Sequence, residues 1–141
     1  MATVEVINKR RSPPGLRPRL RTALAKLMDE LGLMDKEVTV ILCGDETMRR
    51  LKREFWGEDE TTDVLSFPTY EEGDSFMPPH LGDVWINLQA AARQAEQAGH
   101  GLEDESLILA AHSLWHLLGH DHDDKNSWRG FEKVQKRILQ L

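Results

Sequence analysis

The chain has 141 residues, 40% of them hydrophobic and 30% charged, with a formal net charge of −6; this predicts one globular domain over 1–141 around a single core. No apolar run approaches the roughly 20 residues that a bilayer crossing needs, and Met1-Ala-Thr-Val-Glu-Val-Ile lacks the basic-then-apolar order of a signal peptide. Cys43 is the only cysteine, so an internal disulfide is excluded; a buried thiol on a strand, a reducing cytoplasmic setting and no membrane partner are expected.

Ala2 to Asn8 alternates and is β-branched, which reads as a first strand. Ser12-Pro13-Pro14-Gly15 breaks the chain. Leu16, Leu20, Leu24, Leu27 and Leu31 then recur at helical spacing, with Gly32 as the stop. Lys9 to Met28 carries Lys9, Arg10, Arg11, Arg17, Arg19, Arg21 and Lys26 and no acid, and Arg49, Arg50, Lys52 and Arg53 follow later. Such basic stretches on an acidic protein are either solvated helix faces or a surface for a polyanion.

Glu37 to Cys43 is a buried strand, and Asp45 is read as the N-cap of a helix running to about Trp56. Val64 to Pro68 is a third strand, ended by proline. Thr69 to His80 is a loop that could flank a site. Leu81 to Leu88 reads as a fourth strand, Gln89 to Ala98 as a helix stopped at Gly99, Leu102 to Leu118 as a long apolar helix, and Asn126 to Leu141 as an amphipathic one. The order predicts an α+β fold: a four-stranded mixed sheet packed with about five helices.

The chemistry concentrates in His112-Ser-Leu-Trp-His116-Leu-Leu-Gly119-His120-Asp121-His122. His112 and His116 are four apart in a helix and project from one face. Gly119 can adopt the left-handed conformation that ends a helix and returns His122 over that face. Three nitrogen ligands with an open fourth position suit one catalytic zinc ion per chain, which lowers the pKa of bound water to about 7. Asp121 is placed to orient a ligand histidine. Zinc peptidases share this spacing, but their glutamate base follows the first histidine, where this chain has Ser113.

Three blocks make the chain resemble the YbeY family of endoribonucleases and rRNA maturation factors. His112 to His122 is similar to its H-G-x-L-H-L-x-G-Y-D-H signature. Thr62-Asp-Val-Leu-Ser-Phe-Pro68 matches its strand motif. Leu81-Gly-Asp-Val-Trp-Ile-Asn87, followed by Gln94 to Gly99, looks like its L-G-D-[IV]-x-I strand and next helix. The resemblance implies zinc on His112, His116 and His122 at the base of a basic cleft, and cleavage of single-stranded RNA. It also implies roles in 16S rRNA 3′-end maturation and ribosome quality control, with small-subunit ribosomal proteins as further partners.

The family usually carries arginine before the glycine matching Gly57, where this chain has Trp56. Arg53, one turn earlier, is the substitute expected to hold phosphate, together with the N-terminal arginines. Trp56 itself reads either as a buried side chain or as a ring stacked on a base. Asp63 and Ser66 either line the cleft or serve packing and turn hydrogen bonds. His120 is the one nearby candidate for a general acid. A competing reading is an RNA-binding assembly factor whose metal is mainly structural.

Overall fold

A computed structural model of the chain describes residues 1–71, 73–121 and 125–141, with Lys125, Asn126 and Ser127 described by their backbone alone. The elements in order are β1 (Thr3–Asn8), α1 (Leu16–Glu30), β2 (Glu37–Cys43), α2 (Asp45–Trp56), β3 (Val64–Pro68), β4 (His80–Asn87), α3 (Leu88–Ala98), α4 (Leu102–Leu117) and α5 (Lys125–Ile138). The strands form one mixed sheet in the order β1-β2-β4-β3. β1 and β4 both run parallel to β2, and β3 runs antiparallel to β4. The helix-free loop between β3 and β4 suffices for the antiparallel pair, whereas the parallel pairs each need a helical crossover.

Period-two alternation decides what each face buries. Val4 and Val6, Val38, Val40 and Leu42, and Val84 and Ile86 turn to one side, against Leu20, Leu24 and Leu27 of α1 and Leu107, Ala110 and Leu114 of α4. The opposite face has a smaller core in which Cys43 and Leu65 meet Met48 and Leu51 of α2, with Phe67 and Trp85 at its margin. β2 is central and covered on both sides at its C-terminal half, so Val40 to Cys43 is buried without a break and reads as an apolar run rather than an alternation.

The boundary between β4 and α3 moves by one residue, for a reason visible at Asn87. Its side chain accepts hydrogen bonds from the amides of Gln89 at 3.0 Å and Ala90 at 3.2 Å, so the last residue of β4 is the N-cap of α3. The N-cap of α2 is Gly44, not Asp45. The amide of Asp45 is satisfied from α3 by Gln89 Oε1 at 2.8 Å. Its carboxylate is thereby left to bind Arg93 and Asn87. Among the described residues no helix is long and apolar enough to cross a membrane.

Candidate active site

α4 brings its histidine pair against β3. The axis of α4 follows β3: Ser66 Oγ donates a long 3.4 Å hydrogen bond to the Ser113 carbonyl, and Tyr70, just past the strand, donates its hydroxyl to the Leu117 carbonyl. Between them is an open cavity of about 380 Å³ lined by Asp63, Val64, Leu65, Ser66, Pro68, His112 and His116. Asp63 and Ser66 therefore fill both roles expected of them. Asp63 also accepts from Gln94 Nε2 at 3.1 Å, and its carbonyl accepts from the Asn87 amide at 2.8 Å.

The two imidazoles have ring centroids 5.0 Å apart, as the i, i+4 spacing requires. Phe131 of α5, fully buried, packs beneath both, with its ring centroid 4.6 Å from that of His112 and 4.9 Å from that of His116. Gln135, one turn further along α5, has its amide nitrogen 2.9 Å from His112 Nδ1. α5 thus orients α4's histidines, a role its amphipathic sequence did not announce. The only available hint was that Phe131 and Gln135 stand four residues apart and so share a face.

α4 ends as its glycine predicts. Gly119 has φ 95°, its amide donates to the His116 carbonyl at 2.9 Å, and the His120 amide donates to the Trp115 carbonyl at 3.3 Å. That is the Schellman arrangement, which turns the chain back at the helix end. His122, the third expected ligand, lies outside the described residues. Among the described residues no group of three or more His, Cys, Asp or Glu side chains is gathered as a metal cage. His112 and His116, half-buried and both bordering one cavity, do fit two nitrogen ligands of a shared ion.

Other expectations fall elsewhere. Arg53 lies in the last turn of α2, on the other face of the sheet, with its guanidinium 3.5 Å from Asp59. The N-terminal arginines follow β1 and start α1, at the edge of the sheet opposite β3. Among the described residues no lysine or arginine lines the histidine cavity, because α2 lies on the opposite face of the sheet and the N-terminal arginines stand at its β1 edge. His120 does not line it either; its ring lies flat on Trp115, with centroids 4.0 Å apart and planes 9° apart. Asp121 is exposed. Ser113, at the position where the zinc peptidases carry their glutamate base, is fully buried. Trp56 is 46% exposed, which removes its buried reading, because α2 runs past the end of the small core formed by Met48 and Leu51.

The profile of the Endoribonuclease YbeY family matches residues 6–141. The chain belongs to the YbeY family. It is 66% identical over 138 residues to the endoribonuclease YbeY of Thermus thermophilus, spanning 98% of this chain and 99% of that protein. It is 54% identical over 130 residues to the endoribonuclease YbeY of Deinococcus radiodurans, spanning 92% of this chain and 83% of that one. The fold is similar to that in the solution structure of TM1509 from Thermotoga maritima, with a TM-score of 0.69 at 23% identity, covering 97% of this chain and 89% of the other. Within this YbeY chain, the two blocks Thr62 to Pro68 and His112 to His116 face each other across the cavity.

Proposed function

We propose that the chain is a metal-dependent endoribonuclease that cuts single-stranded RNA, with His112, His116 and His122 holding one zinc ion. The observation that carries this reading is the imidazole pair of α4 at the rim of the cavity beneath β3, in a chain whose relatives are named endoribonucleases. A zinc ion held there supplies Lewis acidity toward a phosphoryl oxygen and an activated water. The protein's own part is to fix the ligands. Phe131 limits the imidazoles' rotation, and Gln135 selects which nitrogen of His112 faces the cavity. Ser66 and Asp63 border the opening and position the backbone of a bound strand. Processing of 16S rRNA 3′ ends, ribosome quality control, contact with small-subunit ribosomal proteins and a cytoplasmic setting belong to the same proposal.

One observation favours a second reading. Among the described residues the cavity lining offers no lysine or arginine to a developing phosphate charge, which suits an RNA-binding assembly factor with a mainly structural metal. The two readings separate on one experiment: incubating a single-stranded rRNA fragment with wild type and with His116→Ala, each with and without added zinc. Zinc-stimulated cleavage by wild type alone supports the enzyme. Binding without cleavage by wild type supports the assembly factor, and full activity in a repurified His116→Ala protein overturns the metal mechanism.

A further inference from the structure

On the face of the sheet away from α4, three aromatic rings gather in the open. Phe55 and Trp56 close α2 and are 61% and 46% exposed. Phe67 of β3 meets both, with ring centroids 5.1 Å from Phe55 and 5.6 Å from Trp56 at interplanar angles of 70° and 63°. Phe67 is rooted in the small core of Met48, Leu51 and Leu65, so the edge-to-face trio is a fixed surface. An exposed apolar cluster of this kind marks an interaction site more often than a solitary exposed ring does.

Its position relates it to the histidine cavity. Phe67 stands between Ser66 and Pro68, both of which line that cavity, and consecutive strand residues point to opposite faces. β3 is the edge strand of the sheet. A chain leaving the cavity over that edge meets the rings after crossing the width of one strand. Around the rings, Lys52 Nζ lies 5.9 Å from the Trp56 ring centroid, and Arg49, Arg50 and Arg53 share the helix. Glu54, Glu58, Asp59 and Glu60 stand beside them, with Lys52 2.7 Å from Glu58 and both Arg49 and Arg53 near Asp59 at 3.6 and 3.5 Å. The arginine pairs are largely exposed and individually weak, and four acids offset the four bases, so the local charge is close to balanced and affinity here must come from the π-faces rather than from phosphates.

We propose that Phe55, Trp56 and Phe67 form a stacking platform for unpaired bases of a single-stranded RNA that passes from the histidine cavity over the edge of β3. The proposal rests on the reading of that cavity as an RNA-cleaving or RNA-binding site. Base stacking on aromatic rings is tolerant of sequence and survives salt better than phosphate contacts do.

The test compares two nuclease-resistant 2′-O-methyl strands of about 12 nucleotides, one oligoadenylate and one abasic, by fluorescence anisotropy with the full-length protein. Wild type should bind the base-bearing strand about tenfold more tightly than the abasic one. The Phe55→Ala/Trp56→Ala protein should lose that preference while keeping its abasic affinity and its salt slope. Trp56→Phe should retain most of the preference. Both variants alter exposed side chains, and an unchanged melting temperature shows that the fold is kept. A preference that persists in the double variant, or wild type binding both strands equally, overturns the platform alone; rings that serve a protein partner would give that result. Binding of neither strand by wild type overturns the RNA reading of the cavity itself.

Discussion

The side-chain amide nitrogen of Gln135 lies 2.9 Å from Nδ1 of His112. A histidine hydrogen-bonded at one ring nitrogen offers the other in a defined direction, and a half-turn of the amide lets glutamine serve as donor or acceptor for either tautomer. With Nδ1 engaged by α5, the metal proposal assigns Nε2 of His112 to the ion. Gln135→Leu should therefore weaken zinc binding about 10- to 100-fold, measured by competition with a chelator of known affinity. Gln135→Glu, which keeps an acceptor at the same place, should hold or tighten it. Equal zinc affinity in Gln135→Leu and wild type would remove Gln135 from the metal proposal.

Gly130 of α5 tests how tightly α4 and α5 interlock. A Cβ there would stand 2.6 Å from the Trp115 indole. On helix propensity alone, Gly130→Ala should stabilise α5 by about 1 kcal/mol. Overpacking a filled contact costs about 1–3 kcal/mol, so the clash decides the sign. We expect a net loss of about 1 kcal/mol in urea unfolding. In a Trp115→Leu background, where both rings of the indole are gone, the same change should be neutral or stabilising.

Asp45 links α2, β4 and α3. Its carboxylate accepts from Arg93 at 2.9 and 3.0 Å and from Asn87 Nδ2 at 2.7 Å. The Arg93 guanidinium first, and the Asn87 amide second, hold this carboxyl well below the usual carboxylate range. A depressed native value means that its contribution is complete above the unfolded-state pKa of about 3.9 and is lost as pH falls toward the native value. Asp45→Asn should therefore flatten the stability profile below about pH 5. Asp45→Ala should cost about 1 kcal/mol near neutral pH through the hydrogen bonds lost with Arg93 and Asn87, since the Asn87 amide keeps Thr61 and Thr62 as acceptors. An acid-unfolding curve of Asp45→Asn that overlays wild type would contradict this assignment.

Cys43 is 1% exposed, and burial first, then the charge of Asp45, pushes its thiol up to about 12. The thiolate is the reactive form. Modification by an aromatic disulfide reagent near pH 8 should be slow in the native protein and should track unfolding as urea is added. Rapid labelling of the folded protein would mean that β2 opens locally.

Much of the molecule was legible along the chain because it rests on short-range physics. The i, i+4 spacing of His112 and His116 puts both on one helix face, and Gly119 turns left-handed where an L side chain would be strained. Alternating valines mark β1, and the unbroken apolar run Val40 to Cys43 marks a strand covered on both sides. The helix-free segment between the third and fourth strands, among strands otherwise separated by helices, pointed to a mixed sheet. What no local pattern contains is the strand order, in which β4 enters between β2 and β3. That placement makes β3 an edge, sets Asp63 to Pro68 beside α4 and puts Arg53 on the opposite face from the histidines. The support that Phe131 and Gln135 give His112, the two-way bonding of Asn87 and the exposure of Trp56 likewise depend on residues far apart in sequence. Periodicity tells which side of an element is apolar, while only the packing of elements against one another decides which partner that side meets.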